Sequence, residues 1–130
     1  MVSIIFSAFV SLAVLPADFP QKAAQEETTP HYLYKVVSLE AWKASQGGKT
    51  LKLSADDQSF IHLSREDQLE RITSKYWAKA PEYVVLRLDA SKLPGKMVYE
   101  ANPGGASKYY HLYDGSIPLE AISESKVIKK

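Results

Sequence analysis

Three histidines occur in the 130 residues, and two of them, His62 and His111, stand inside β-rich runs, Phe60-Ile61-His62-Leu63-Ser64 and Lys108 to Tyr113. Alternate side chains of a strand share a face, so Phe60, His62 and Ser64 project together, as do Tyr109, His111 and Tyr113, and Val98 with Glu100. Each strand then carries one ionisable group among apolar or aromatic neighbours. Imidazole is the side chain whose ordinary pKa lies near neutrality, so such a set could move protons. Two imidazoles and a carboxylate are equally the ligand set of many zinc or iron sites. Each could also be a polar group satisfied inside a sheet. No HxH or HExxH register links the two histidines, so the metal alternative stands on residue type alone and no metal is expected.

The elements that must position these residues are legible in the local pattern. Tyr32 to Val37 is rich in β-formers, and Ser38 caps a short helix, Leu39 to Ser45, with Glu40 in its first turn and Gly47-Gly48 after it. Leu39 and Trp42, three apart, face the core. Residues 49–53 read as a brief strand, and Ser54-Ala55-Asp56-Asp57 as a turn. After the strand 60–63, Ser64 is the expected N-cap of a helix over 65–77, with Glu66 and Asp67 in its first turn and Leu69, Ile72 and Tyr76 as its apolar stripe. Residues 83–88 alternate, Val84, Leu86 and Leu88 on one side and Val85 and Arg87 on the other. Leu93-Pro94-Gly95 turns the chain into a strand at 97–100, and Asn102-Pro103-Gly104-Gly105 loops before the strand at 108–113. Asp114-Gly115 turns, 118–122 makes a helical turn, and 126–128 closes the chain. Two helices early and hairpin-linked strands late predict an α+β fold with one or two small mixed or antiparallel sheets.

Composition bounds the rest. Hydrophobic residues at 45% and charged residues at 24% are those of an ordinary globular chain. Residues 31–130 are expected to form a single domain and residues 1–30 a hydrophobic leader with a polar linker, 21–30. Residues 2–15 contain only apolar residues and serines. That suits a signal-peptide core but is too short for a membrane span. No basic residue lies near Met1, so two readings stay open: an exported domain if the leader is a signal peptide, and otherwise a cytoplasmic one. Residues 31–130 carry 15 basic and 12 acidic side chains, too even a balance for a nucleic-acid groove. Without cysteine, disulfide frameworks, thiol nucleophiles and cysteine-based zinc sites are excluded.

Over residues 32–127 the sequence resembles the bacterial family catalogued as domain of unknown function 952. The resemblance is carried by Tyr34-Lys35-Val36 with Trp42, Phe60-Ile61-His62-Leu63-Ser64, Gln68, Val85-Leu86-Arg87-Leu88-Asp89, Val98-Tyr99-Glu100 and Tyr110-His111-Leu112-Tyr113. Gln58-Ser59 stands where the family usually has Glu-Gly, and Tyr109-Tyr110 where it has Phe-Pro. The family is similar in fold to the ADP-ribosyltransferase group, whose members bind NAD in a cleft between two small sheets, although a shared fold does not transfer chemistry. What the resemblance implies is a nucleotide-sized cleft with NAD as candidate cofactor. His62, with Ser64 on its face, and Lys35 would anchor ribose or phosphate oxygens, and Tyr34 or Tyr113 would stack on nicotinamide. Glu100 would stabilise the oxocarbenium-like charge as the glycosidic bond lengthens, and His111 would accept the proton.

Other chemistries lack their signatures. No GxxxxGK[ST] phosphate loop or GxSxG elbow is present, and neither glycine pair has the context of a dinucleotide fingerprint. Eight tyrosines and two tryptophans would equally suit a domain that binds a ligand or partner without catalysis. Substitution of Glu100 by Gln separates that alternative from an enzyme, which would keep binding and lose turnover.

Overall fold

The β-branched and aromatic run Tyr32–Val37 forms strand β1, buried at alternate positions Leu33, Lys35 and Val37. This computed structural model describes residues 28–130, so the expected leader and most of the linker lie outside the described residues. Ser38 caps helix α1 (Leu39–Ser45) through its hydroxyl, which accepts from the Ala41 amide. The helix ends where Gln46 turns extended and Gly47 takes φ +90°. A 3-10 turn, Ala55–Asp57, leads to β2 (Ile61–Leu63). Another, Glu66–Gln68, leads to helix α2 (Leu69–Tyr76). Strands β3 (Glu82–Asp89), β4 (Lys96–Ala101), β5 (Lys108–Tyr113) and β6 (Ile122–Lys129) follow.

Among the described residues six strands make two three-stranded sheets, β1-β3-β6 and β2-β5-β4, and each pairing is antiparallel. Leu33, Val37, Val84, Leu86 and Leu88 of the first sheet share one core with Ile61, Leu63, Tyr110 and Leu112 of the second. Burying each such leucine or isoleucine stabilises the fold by about 1.5–3 kcal/mol. Tyr34 and Ser64 exchange backbone hydrogen bonds of 2.8 and 2.9 Å, which stitches the sheets together at the site's edge. With the apolar face of the second sheet turned to the core, strand alternation puts His62, His111, Tyr113, Val98 and Glu100 on its other face.

Several elements differ from the sequence pattern, each for a structural reason. Residues 49–53 form no strand: Thr50 makes an isolated bridge to Pro118, flanked by the Leu51 amide donating to Ile117 and the Leu119 amide donating to Lys49, and the pairing goes no further where Leu119–Ala121 winds into a 3-10 turn. Ser64 is not a helix cap, because its backbone is engaged by Tyr34. The cap moves to Arg65, whose amide donates to the Gln68 side chain, and the first turn tightens to 3-10 geometry. Tyr76 is 62% exposed, so the expected apolar stripe ends at Ile72. Strand β6 is much longer than 126–128 because β3 supplies its hydrogen bonds along one edge while its side chains stay mostly exposed, leaving no apolar alternation to read.

One close approach of backbone to backbone fixes the end of the second sheet. A Cβ on Gly115 would lie 2.1 Å from the Pro94 carbonyl oxygen, and one on Gly95, at φ +120°, 2.6 Å from the Tyr113 oxygen. The β4 entry turn thus nests on the β5 exit, next to Tyr113. Among the described residues no helix is long and apolar enough to cross a membrane.

Candidate functional site

The register of the second sheet sets His62 directly opposite His111, and His111 opposite Val98 on its other side. Glu100, two residues beyond Val98, is the diagonal neighbour of His111 on the same face. The imidazole rings of His62 and His111 lie 5.4 Å apart between centroids, at 71°. Phe60, just before β2, stacks on His111 at 4.0 Å and sits 4.8 Å from His62 and 5.2 Å from Tyr113. Two imidazoles, a carboxylate and two aromatic rings therefore form one patch.

His62 is held from below by Asp57. The 3-10 turn brings this aspartate under the strand, where one oxygen, Oδ1, accepts from the His62 backbone amide and lies 3.0 Å from His62 Nδ1. Lys35 reaches in from β1, its ammonium 3.1 Å from the other oxygen and 2.9 Å from the His62 carbonyl. Both partners are shielded, with side chains 9% and 5% exposed. Burial pushes the Asp57 carboxyl up, but the His62 ring and amide and the Lys35 charge outweigh it and hold the group below the usual carboxylate range. Burial likewise drives the Lys35 ammonium below its ordinary value, and Asp57 offsets only part of that. Because an ionised carboxylate only accepts, neutral His62 carries its proton on Nδ1. Its Nε2 then keeps a lone pair with no protein partner among the described residues, on a side chain 40% exposed.

His111 is the opposite case. It is fully buried, with Nδ1 2.8 Å from Glu100 Oε2 and Nε2 2.8 Å from Asn102 Oδ1. Both nitrogens face oxygen, an arrangement that an imidazolium satisfies fully, and a neutral ring only with the Asn102 amide turned over. The Tyr113 hydroxyl also donates to Glu100 Oε2. This bond, followed by the one from His111, holds the Glu100 carboxyl below its ordinary range, and in return raises the Tyr113 phenol. Glu100 remains 36% exposed, and its Oε1 has no protein partner among the described residues.

Of the residues singled out in the sequence, His62, His111, Glu100 and Tyr113 come together. Three do not join them as ligand groups. Lys35 is buried and bonded to Asp57, so its ammonium is not free to meet a phosphate. Tyr34 lies on the opposite face of β1 from Lys35, with its pKa raised by burial and then by Glu66. Ser64 is 5% exposed with both backbone groups bonded to Tyr34. The expected role of His111 as proton acceptor also meets an obstacle, since neither ring nitrogen is free. Sequence reasoning missed Asp57, Asn102 and Phe60 as site residues. Asp57 was legible only as a turn residue, although an aspartate five residues before a strand histidine is a spacing that a turn can fold back. Among the described residues no three His, Asp or Glu side chains are grouped to hold a metal ion.

The chain matches, over residues 36–125, the family described as protein of unknown function DUF952. It is also similar to protein CC0527 from Caulobacter crescentus, in a crystal structure and in a solution NMR structure. Each is 26% identical with a TM-score of 0.64. The match covers 74% of this chain and 84% of that protein in the crystal structure, and 75% and 84% in the solution structure. No curated protein matches the chain.

Proposed function

Starting from the fact that this chain belongs to the DUF952 family, we propose that it is a small acid–base catalyst acting on a nucleotide, with His62 as the proton-transfer group and NAD as the first substrate to test. One observation carries the reading: a buried aspartate fixes His62 Nδ1 at 3.0 Å and leaves Nε2 available at the surface. An imidazole oriented in this way by a carboxylate is the arrangement that general bases use, because tautomer and direction are both set before substrate arrives.

The neighbours support bond cleavage next to that base. Glu100 is ionised, part-exposed and retains an unpartnered oxygen, so it suits the stabilisation of positive charge on a ribose carbon as a glycosidic bond breaks. His62 Nε2 would take the proton of the attacking hydroxyl, the hydroxyl oxygen would bond to the ribose carbon, and the nitrogenous base would leave with the electrons of the broken bond. The rings of Phe60 and Tyr113 offer flat surface for a base or nicotinamide to stack on. The acid–base role falls to His62 rather than His111, whose buried ring braces Glu100 and Asn102. Lys35 supports Asp57 instead of touching ligand.

Calorimetric titration with NAD, paired with an assay of nicotinamide release, tests this reading on the full chain and on His62→Ala and Glu100→Gln variants whose folding is checked by their melting curves. Saturable binding at millimolar NAD with release abolished in both variants is the expected result. Binding that survives Glu100→Gln with no release by any form would mark a non-catalytic binding domain. An absence of saturable binding at millimolar NAD would overturn the nucleotide assignment.

A further inference from the structure

A hollow of about 230 Å³ opens beside the histidine patch, between α2 and the turn at residues 102–107. It has room for several water molecules, or for a small anion. Among the described residues its lining includes the cations Arg71 and Lys75 and no carboxylate. The facing wall is a type II turn: the Gly105 amide donates to the Asn102 carbonyl at 2.8 Å, Pro103 precedes Gly104, and Gly104 takes φ +78°. Among the described residues the amides of Gly104, Ala106 and Ser107 donate to no other backbone group. Arg71 is anchored at the rim by a 2.9 Å hydrogen bond to the Ser107 hydroxyl, which leaves its other guanidinium N–H groups unused within the described residues.

Two lining residues connect this hollow to the proposed catalytic patch. Asn102 lines it and also bonds His111, and Tyr109, another lining residue, pairs with Glu100 across the β4–β5 register. Resting on the reading above, we propose that the hollow is an anion subsite that takes a phosphate or diphosphate group of the nucleotide whose reacting bond lies at His62. Two cations, a hydroxyl and amides with no hydrogen-bond partner among the described residues are the donor set that phosphate oxygens use, and a guanidinium can bind them through two N–H groups at once. The subsite also accounts for phosphate recognition without Lys35, which the fold has buried under Asp57.

The test is an amide NMR titration of the full chain with inorganic pyrophosphate, repeated on an Arg71→Gln, Lys75→Gln double variant, on Arg71→Lys and on His62→Ala. The expected result is saturable shifts at Gly104, Ala106 and Ser107. The double variant should weaken binding by about tenfold or more, the loss of roughly one charge-assisted hydrogen bond. Arg71→Lys should lie between, and His62→Ala should match the wild type. Shifts scattered over other surface lysines, equal affinity in the double variant, or no saturation at millimolar pyrophosphate would each overturn the subsite. The two proposals fail separately: NAD binding at His62 with affinity unchanged by the double variant refutes the subsite alone. Pyrophosphate binding at the turn with no NAD binding leaves the subsite standing and refutes the nucleotide reading.

Discussion

Replacing Asp57 by Asn should be the most informative single change to the scaffold of the site. Asparagine keeps the shape and an acceptor for the His62 amide and ring, but it removes the charge that faces a lysine with 9% of its side chain exposed. Removing one member of a buried ion pair typically destabilises by about 3–5 kcal/mol. Lys35 sets its own ceiling, since the ammonium can lose its proton instead of remaining charged and unpaired. From an ordinary value of 10.5, deprotonation at neutral pH costs about 5 kcal/mol, at roughly 1.4 kcal/mol per unit. At a pH near 9 that ceiling drops to about 2 kcal/mol. Urea unfolding at the two pH values should therefore give a large loss for Asp57→Asn at neutrality and a markedly smaller one in alkali, with unchanged m. Adding Lys35→Met removes the stranded charge and should restore at least about 2 kcal/mol, a coupling typical of groups in direct contact. A loss below about 1 kcal/mol, or a double variant whose losses simply add, would refute the placement of this pair at the base of the site.

Two further outcomes follow from the same geometry. The folded Asp57 carboxyl lies below the 3.8 of a free aspartate, so between the two values the unfolded chain binds more protons and stability rises with pH. The contribution is whole above 3.8 and is lost as pH falls through the folded value, so the wild-type advantage over Asp57→Asn should shrink in acid. Chemical denaturation across an acid pH series measures it. Gly115→Ala, whose new Cβ would meet the Pro94 carbonyl oxygen at 2.1 Å, should destabilise by about 1–3 kcal/mol through forced backbone movement. Thermal melting would show it as a fall in Tm, whereas an unchanged Tm would contradict the nested turns at the end of the sheet.

The strands that carry the candidate site are readable because their apolar faces point at a core. Ile61, Leu63, Tyr110 and Leu112 alternate with His62 and His111, so a period of two, applied twice, puts both imidazoles on one face before any pairing is known. What alternation cannot supply is the partner of each polar group. The family resemblance implies Lys35 as an anchor for ligand oxygens, yet it occupies an inward position on β1 and is satisfied by the His62 carbonyl and by Asp57, whose turn folds beneath β2. Asn102 had the appearance of a loop residue in a Pro-Gly-Gly stretch, and its contact with His111 depends on how that turn closes over the sheet. Ser64 was misread because a bridge between sheets and a helix cap both place a small polar residue before an acidic turn. Long-range hydrogen bonds decided each of these cases, and local propensity carries no record of them.

Asp57 fixes His62 with its proton on Nδ1 and leaves its Nε2 available to a ligand. Nitrogen-15 NMR of the imidazole rings in the full chain reads the tautomer directly. The expected spectrum shows neutral His62 as the Nδ1–H form, an Nε2 resonance that moves when NAD is added, and loss of the tautomeric preference in Asp57→Leu. A His62 that populates the Nε2–H form in the wild type, or an Nε2 signal indifferent to NAD, would contradict it.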